Sequence, residues 1–178
     1  PMRLFIAIEL PKSFKAEVSR IQKELKTLSC GGRFVPGDNF HITLHFIGES
    51  EDLAGAVAAM REAARGIRPF TLHLGKYASF EKGSARTSVL EVKGELAELR
   101  ALRECLESAL ADNGFSREMK RFTPHITLGR SVEHDALADA ELKALSPNAS
   151  MTAFGITLFE SARREGRMVY RALHRESF

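Results

Sequence analysis

The sequence lacks the features that mark membrane-spanning, secreted or zinc-binding proteins. No apolar run approaches the roughly 18–20 residues that a membrane-spanning helix needs. The two cysteines, Cys30 and Cys105, lie far apart and form neither a CxxC pair nor a disulfide framework. The first strand-like stretch, MRLFIAIEL, carries one Arg and is typical of a β-strand rather than of a signal peptide. We therefore expect a cytoplasmic protein that does not associate with a membrane.

The glycine-rich loops that cradle nucleotide phosphates are also missing. The chain contains neither GxxxxGK[ST] nor GxGxxG. What it has is an ordinary globular composition, with 178 residues, 44% hydrophobic and 28% charged, and no linker or low-complexity tract. This composition predicts a single domain over residues 1–178. The net charge of +3 is compatible with an anionic substrate but is too small for a protein that binds duplex nucleic acid.

One short stretch occurs twice in the chain. HITLHFIG occupies residues 41–48, and HITLGR follows at residues 125–130. Successive side chains of a β-strand point to opposite faces. In the first copy we therefore expect His41 and Thr43 on one face, with Phe46 on the buried face together with the intervening apolar residues.

The second copy predicts the same division, with His125 and Thr127 on one face. Two strands that each present an imidazole and a hydroxyl form a site suited to a phosphate and a proton. A histidine side chain titrates near 6.5, so one of a pair can act as general base and the other as general acid. The threonine hydroxyls can stabilise charge on the phosphate oxygens. This chemistry requires neither a metal nor another cofactor.

The strand and helix patterns occur about twice each along the chain. Strands are predicted at 2–10, 40–48, 70–80, 86–94, 125–130, 151–161 and 168–173, and helices from Pro11, Ser50, Glu95 and residue 133. A turn containing Lys82-Gly83-Ser84 joins the third and fourth of these strands. The predicted fold class is α+β and bilobal, with two antiparallel sheets, helices on their outer faces and a pseudo-twofold axis. The two His-x-Thr strands would then face each other across a central groove.

The other histidines stand outside the repeated His-x-Thr pair. His45 follows Thr43 by two residues and is a candidate for the rim of the groove. We expect surface or structural positions for His73, His134 and His174. A zinc site would need a third ligand. The sequence has one HxxxH pair, His41 and His45, but no HxH or HxxE cluster that would supply that ligand, so we expect no metal site.

With these motifs, the chain resembles the bacterial and archaeal RNA 2′,3′-cyclic phosphodiesterases, historically called 2′-5′ RNA ligases. They belong to the two-histidine phosphoesterase superfamily. The resemblance covers essentially the full length. It is carried by RLFIAIELP, NFHITLHFIG, the strand from Arg86 to Val92, FTPHITLGR and ITLFES with GRMVYRAL.

The resemblance implies hydrolysis of a 2′,3′-cyclic phosphate at an RNA end to a 2′-phosphomonoester, without metal or cofactor. His41 matches the proton donor and His125 the proton acceptor. Thr43 and Thr127 match the hydroxyls that contact the phosphate, and Arg130 matches an arginine that holds the phosphate or nucleotide.

Three phenylalanines, Phe5, Phe46 and Phe122, are candidates for stacking on the bases. Where many relatives have an aromatic residue in the middle strand, this chain reads Val89-Leu90-Glu91, which leaves the base contacts open.

Several alternatives remain open from the sequence. The groove can be a binding module that holds a nucleotide or RNA end without chemistry, or it can act on a small cyclic nucleotide or an ADP-ribose derivative. Ligation through a 2′-5′ bond, as with tRNA halves, is the reverse reaction and is expected to be minor because water drives hydrolysis. We expect RNA with 2′,3′-cyclic phosphate ends as the partner and a monomeric protein.

Overall fold

The computed structural model describes residues 1–82 and 85–178, and within them four helices and nine strands follow one another. The helices are α1 (Lys12–Leu28), α2 (Leu53–Ala64), α3 (Leu96–Asp112) and α4 (Ala136–Ala144). The strands are β1 (Met2–Glu9), β2 (Gly31–Phe34), β3 (His41–Ser50), β4 (Phe70–Lys82), β5 (Ala85–Gly94), β6 (His125–Glu133), β7 (Ser150–Ala153), β8 (Gly155–Arg164) and β9 (Arg167–Ser177). The predicted turn at Lys82-Gly83-Ser84 falls partly on Gly83 and Ser84, which lie outside the described residues.

The strands form two antiparallel sheets whose strand orders correspond. The first sheet runs β3-β1-β8-β9 and the second runs β2-β6-β5-β4-β7, so the second repeats the order of the first with β2 added at its edge. The registers correspond as well, because Glu9 lies opposite His41 and Glu91 lies opposite His125. The predicted α+β class with two antiparallel sheets is therefore confirmed, and the matching orders agree with a pseudo-twofold relation.

Alternate residues of β1 divide between a helix-covered face and a groove face. In β1, Leu4, Ile6 and Ile8 belong to the large apolar core, which also contains the buried residues of the helices. The intervening Phe5 and Ala7 belong to a separate small cluster on the other face. The helices thus lie on the faces of the sheets that point away from the groove, as predicted.

Helix α1 follows a strand of the first sheet and donates hydrogen bonds to the second sheet. Helix α3 follows a strand of the second sheet and donates a hydrogen bond to the first. Gln22 of α1, a buried side chain, donates from Nε2 to the carbonyl oxygens of Val35 at 2.7 Å and Leu128 at 3.0 Å, both next to or within the second sheet. Arg103 of α3 donates from Nε to the carbonyl oxygen of Leu44 in the first sheet at 3.3 Å. Leu44 and Leu128 are the equivalent leucines of the two HITL segments. Each motif strand is therefore held by a helix that follows a strand of the other sheet.

Two of the predicted boundaries are wrong. The stretch 151–161 was predicted as one strand, but it leaves the second sheet after β7 and enters the first sheet at β8, with an exposed Phe154 between them. The second helix was predicted to start from Ser50, but α2 begins at Leu53 and its cap is Asp52, whose carboxylate accepts a hydrogen bond from the Gly55 amide at 2.9 Å. In the described part of the chain, no helix has the length and apolarity needed to cross a bilayer.

Candidate active site

The two HITL segments bring their polar side chains into one groove between the sheets. A cavity of about 300 Å³ is lined by His41 and Thr43 of β3 and by His125 and Thr127 of β6. All four side chains are half-buried, whereas the isoleucine and leucine of each segment are fully buried. The alternation predicted from the sequence is therefore observed at these positions, and it places two imidazoles and two hydroxyls around the same space.

Both histidine rings are held by the same kind of backbone contact. Nδ1 of His41 lies 2.7 Å from the carbonyl oxygen of Asn39, and Nδ1 of His125 lies 2.7 Å from that of Thr123. A carbonyl oxygen only accepts, so Nδ1 carries the hydrogen in each ring and Nε2 is the basic nitrogen of the neutral form. Nε2 of His41 lies 2.8 Å from Oγ1 of Thr43, whose hydroxyl donates to it. Each motif thus fixes the tautomer that leaves Nε2 for chemistry.

The surroundings lower the pKa of both histidines. Burial is the largest cause for His41 and for His125, because a desolvated imidazolium is disfavoured. The Asn39 and Thr123 carbonyls act in the opposite direction by stabilising the protonated rings. The positive charge of Arg130 lowers both pKa values further. In the free protein both rings are therefore neutral at pH 7, so a general base is available.

Aromatic rings pack against both histidines. The ring centroid of His41 lies 5.1 Å from that of Phe5 and 5.3 Å from that of Tyr170, which meets it edge-on at 83°. Phe80 meets His125 in the same way, at 4.9 Å and 81°. These contacts restrict the imidazoles and remove water from them, and this loss of water is what lowers their pKa values. Tyr170 and Phe80 come from β9 and β4, and no local sequence pattern marked them.

The three candidate stacking residues differ in how much surface they offer. Phe5 is 2% exposed and lies beneath the ring of Phe46, at 5.6 Å between centroids. Phe46 is 53% exposed. Phe122 is half-buried at the groove wall, with the guanidinium of Arg103 at 5.2 Å from its ring centroid.

Two expectations about the first motif are wrong, and they share a cause. Phe46 was expected on the core face and lies in the groove, while His45 was considered for the groove rim and is 2% exposed in the interior. The β1–β3 pairing shifts register between Leu4 and Phe5 and again between Ile6 and Ala7. Such bulges interrupt the two-residue period, so the residue after buried Leu44 is buried as well.

His45 is part of a buried polar network behind the groove. Its Nδ1 bonds the carboxylate of Glu107 on α3, and the other Glu107 oxygen accepts from the backbone amide of Glu118 at 2.7 Å. Arg103 bonds Glu118 at 3.1 Å and lies 3.9 Å from Glu107. His45, Glu107 and Glu118 bring possible metal-ligand atoms within 4.8 Å of one another, but the Arg103 guanidinium already supplies positive charge there. The network does not include His41 or His125, and it ties α3 and the loop before β6 to the first motif.

The loop at 115–124 forms one wall of the groove, and Phe122 is the one residue of this loop that was predicted to be part of the site. Lys120, Arg121 and Phe122 line the cavity, and Arg100 holds the loop by donating to the Phe122 carbonyl oxygen at 3.1 Å. The basic pair directly before FTPH is a signal that the sequence offered. Arg130, predicted from HITLGR, lines the groove from the second sheet and is exposed.

Comparison with known proteins identifies the family of this chain. The 2′-5′ RNA ligase superfamily is matched over residues 10–165. Proteins named RNA 2′,3′-cyclic phosphodiesterase are similar, with 34% identity for one from Thermotoga maritima over 72% of this chain and 70% of that protein, and 36% for one from Archaeoglobus fulgidus over 72% of each.

Solved structures agree over nearly the whole length. Escherichia coli LigT complexed with 3′-AMP has a TM-score of 0.79 and 28% identity over 99% of this chain and 98% of that one. A protein from Thermus thermophilus has a TM-score of 0.80 and 27% identity, covering 99% of this chain and 97% of that one. With the two HITL strands facing one groove, these matches lead to one conclusion: the chain belongs to the 2′-5′ RNA ligase superfamily.

Proposed function

We propose that the protein hydrolyses the 2′,3′-cyclic phosphodiester at the end of an RNA to a 2′-phosphomonoester. The observation that carries the proposal is the pair of imidazoles in one groove, each with Nδ1 bonded to a backbone carbonyl and Nε2 left for proton transfer. A binding site has no need for two titratable groups held in this way. The names of the relatives, RNA 2′,3′-cyclic phosphodiesterase, support the same substrate and reaction.

In this proposal each of the two histidines carries out one proton transfer. His125 removes a proton from a water molecule as its oxygen attacks phosphorus, and His41 gives a proton to O3′ as the P–O3′ bond breaks. The products are a 3′-hydroxyl and a phosphate on O2′. His125 ends protonated and His41 neutral, and exchange with solvent restores the starting states. His41 must begin protonated, and the bound phosphate anion favours this by raising its pKa.

The remaining groove residues act on the charge of the reacting phosphate. Once His41 is protonated, its Nε2 no longer accepts from the Thr43 hydroxyl. The hydroxyls of Thr43 and Thr127 then donate to the non-bridging oxygens, where negative charge grows in the transition state. Arg130 adds a guanidinium, which can hold two phosphate oxygens at once. The proposed chemistry therefore needs no metal or other cofactor, because the histidines move the protons and these three side chains stabilise the charge.

Phe46 offers the most exposed ring for stacking on a base, and Phe122 of the loop lines the same groove. Base–aromatic stacking contributes about 1–3 kcal/mol per base. Phe5 supports the Phe46 ring from below, because it is itself almost fully buried.

The protein then acts as a monomeric bilobal unit over residues 1–178, in the cytoplasm. Its substrates are RNA ends such as those of tRNA halves, or small cyclic nucleotides, and 2′-5′ ligation is a minor reverse reaction.

The test uses a short RNA ending in a 2′,3′-cyclic phosphate and the protein treated with EDTA. Wild type is expected to give the 2′-phosphate, while His41→Ala and His125→Ala give no product on the same timescale. His73→Ala is the matched control, because His73 lies on β4 outside the groove lining and should retain activity.

Two results would change the proposal in different ways. A 3′-phosphate product would reverse the proton-transfer roles of the two histidines. RNA that binds without turnover, with affinity unchanged in His41→Ala, would replace the enzyme by a binding module.

A further inference from the structure

A second cavity continues the groove beyond Phe46, and we call it the arginine chamber. It has a volume of about 490 Å³, and Arg3, Arg130 and Arg163 line it together with Phe46 and Tyr170. Phe46, Arg130 and Tyr170 also line the groove that holds the two histidines. The two cavities are therefore adjacent and share these three residues as a common wall, so a ligand longer than one nucleotide can reach from one to the other.

The arginine chamber is strongly basic. Three arginines line it, and its lining contains no Asp or Glu. Within residues 1–82 and 85–178, no ion pair involves Arg3, Arg130 or Arg163. Glu49 lies opposite Arg3 on β3, but the same part of the chain shows no salt bridge between these two side chains. Three arginines that form no ion pair within the described residues therefore line one cavity, and a single reacting phosphate does not require so much positive charge.

Elsewhere on the first sheet, an arginine on the groove face is neutralised. Arg175 bonds Glu9 through Nε at 2.7 Å and through a second nitrogen at 3.0 Å. The cavity that contains this pair lies at the other end of β1 from Arg3. The groove face therefore has a neutralised end and an end with excess positive charge, and only the latter attracts an anion.

The chemistry of the substrate determines which anion can reach the arginine chamber. A cyclic phosphate occupies both O2′ and O3′ of the last ribose, so the rest of an RNA leaves that ribose only through its 5′ oxygen. The next negative charge is the phosphodiester on that oxygen. Resting on the proposed function, we propose that the arginine chamber binds this phosphodiester and the nucleotide 5′ to it. The preferred substrate is then an RNA end of at least two nucleotides, rather than a cyclic mononucleotide.

The aromatic residues shared by the two cavities suit the base of such a nucleotide. Phe46 is 53% exposed, and the half-buried ring of Tyr170 lies behind it beside Phe5. Bases stack on such surfaces irrespective of their identity, because every base has a π-face. Arg3 and Arg163 can then bond the phosphate oxygens as a planar, charge-assisted pair of donors. The arginine chamber therefore selects for length, and the sequence of the RNA has little influence.

The experiment compares two substrates for the whole protein: adenosine 2′,3′-cyclic phosphate and the dinucleotide ApA ending in a 2′,3′-cyclic phosphate. For wild type, kcat/KM should be higher for the dinucleotide by roughly ten-fold, the gain expected from one charged hydrogen-bonded contact. In Arg163→Ala and Arg3→Ala this ratio should fall towards about one. Raising the salt concentration should weaken dinucleotide binding more steeply, with a log–log slope larger by about 0.7 for the additional phosphate.

The matched control is Arg164→Ala. Arg164 is the next residue of β8, is also exposed, and is not among the residues that line the arginine chamber. Alternation along the strand predicts its side chain on the opposite face from Arg163. The Arg164→Ala substitution removes the same charge from the same hairpin but leaves the lining of the arginine chamber intact. It should therefore keep the wild-type ratio of kcat/KM values.

Each other result has a defined meaning. Wild-type turnover of both substrates with equal kcat/KM would overturn this inference and leave the proposed function intact. An equal fall of the ratio in Arg164→Ala and Arg163→Ala would overturn it too, because net charge alone would then explain the effect. If wild type turns over neither of the two substrates, the proposed function is overturned and, with it, this inference.

Discussion

The two motif strands have the same backbone geometry and different surroundings. Both begin at a histidine whose Nδ1 lies 2.7 Å from the carbonyl oxygen two residues earlier. In both, a helix side chain from the opposite half of the chain donates to the motif leucine, Gln22 to Leu128 and Arg103 to Leu44. The four letters HITL thus specify one local structure twice. That structure fixes the tautomer of each imidazole.

The strands diverge directly after the leucine. The first motif continues with buried His45 and exposed Phe46, and the second with Gly129 and Arg130. Gly129 leaves room for two close neighbours: a Cβ there would lie 2.8 Å from Cγ2 of Val132 on the same strand and 3.1 Å from the Arg33 carbonyl oxygen of β2. The first motif is at the edge of its sheet, where α3 supplies the partners of His45 instead. The repeat therefore supplies two similar histidines for proton transfer. The residues after it differ, so that Phe46 gives the groove an aromatic wall and Arg130 gives it a cationic one.

The largest effect is expected from removing either imidazole. His41→Gln and His125→Gln should each lower kcat by about 10²–10⁴-fold, the usual contribution of one general acid or base. The double variant should be scarcely slower than the slower single variant, because the two groups act in one transition state. Steady-state kinetics on an RNA with a 2′,3′-cyclic end measures this. Two losses that multiply would show that each histidine contributes independently of the other, rather than as one unit.

A second substrate distinguishes the histidine that acts as general acid from the one that acts as general base. A 3′-deoxynucleoside 2′-(4-nitrophenyl phosphate) carries a leaving group that departs without a proton, and it lacks the 3′-hydroxyl that would otherwise compete with water as the nucleophile. His41→Gln should regain much of the wild-type rate on it, whereas His125→Gln should not, because water still needs a base. Recovery in His125→Gln instead would exchange the roles.

The two threonines come next in expected size. Thr43→Val and Thr127→Val should each lower kcat by roughly 10²-fold, at the lower end of the range for loss of one donor to a developing oxyanion. Only Thr43 also bonds a histidine, at 2.8 Å from Nε2 of His41, within the part of the chain that the structure describes. Thr43→Val should therefore change the pH dependence of kcat/KM, while Thr127→Val should change the rate alone. Identical pH profiles for both variants would remove this distinction between the strands.

The sequence predicted the parts of the site that lie within four residues of one another. His41 with Thr43, and His125 with Thr127, share a face because alternation holds at the start of each strand. Alternation failed at His45 and Phe46, because a bulge in the pairing with β1 depends on contacts with a distant segment. Phe154 likewise separates two strands of different sheets inside one apolar run, and only the tertiary fold distinguishes them.

The walls of the groove were the least predictable part. Tyr170 and Phe80 reach the histidines from hairpins whose position depends on how the sheets associate. Arg103 reaches the groove from a helix whose sequence shows only a leucine stripe. Such residues have no characteristic spacing relative to the motifs, so a single sequence contains no signal for them.

The buried network of the first motif predicts an effect on stability. Glu107→Ala removes the partner of His45 and of the Glu118 amide, and should lower the free energy of unfolding by about 3 kcal/mol, as for a broken buried pair. Glu104→Ala is the control on the same helix: its side chain is 70% exposed and its pair with Arg117 spans 3.5 Å. Its loss should cost less than about 1 kcal/mol. Urea unfolding measures both, and equal values would show that this network does not support the first motif.

The smallest expected effect is a shift in pH dependence, and it tests the cationic wall of the second motif. The charge of Arg130 lowers the pKa of His41 and of His125. In Arg130→Gln both values should therefore rise, so at any given pH more of each ring is protonated. The rising limb of kcat/KM reports deprotonation of the base and the falling limb deprotonation of the acid, so both limbs should move to higher pH. Arg130→Lys keeps the charge and loses the planar donor pair, so it should be slower than wild type with both limbs in place. If Arg130→Gln lowered the rate and left the limbs unmoved, Arg130 would act on the phosphate alone, and the pKa values of the two histidines would be set by burial among the aromatic rings.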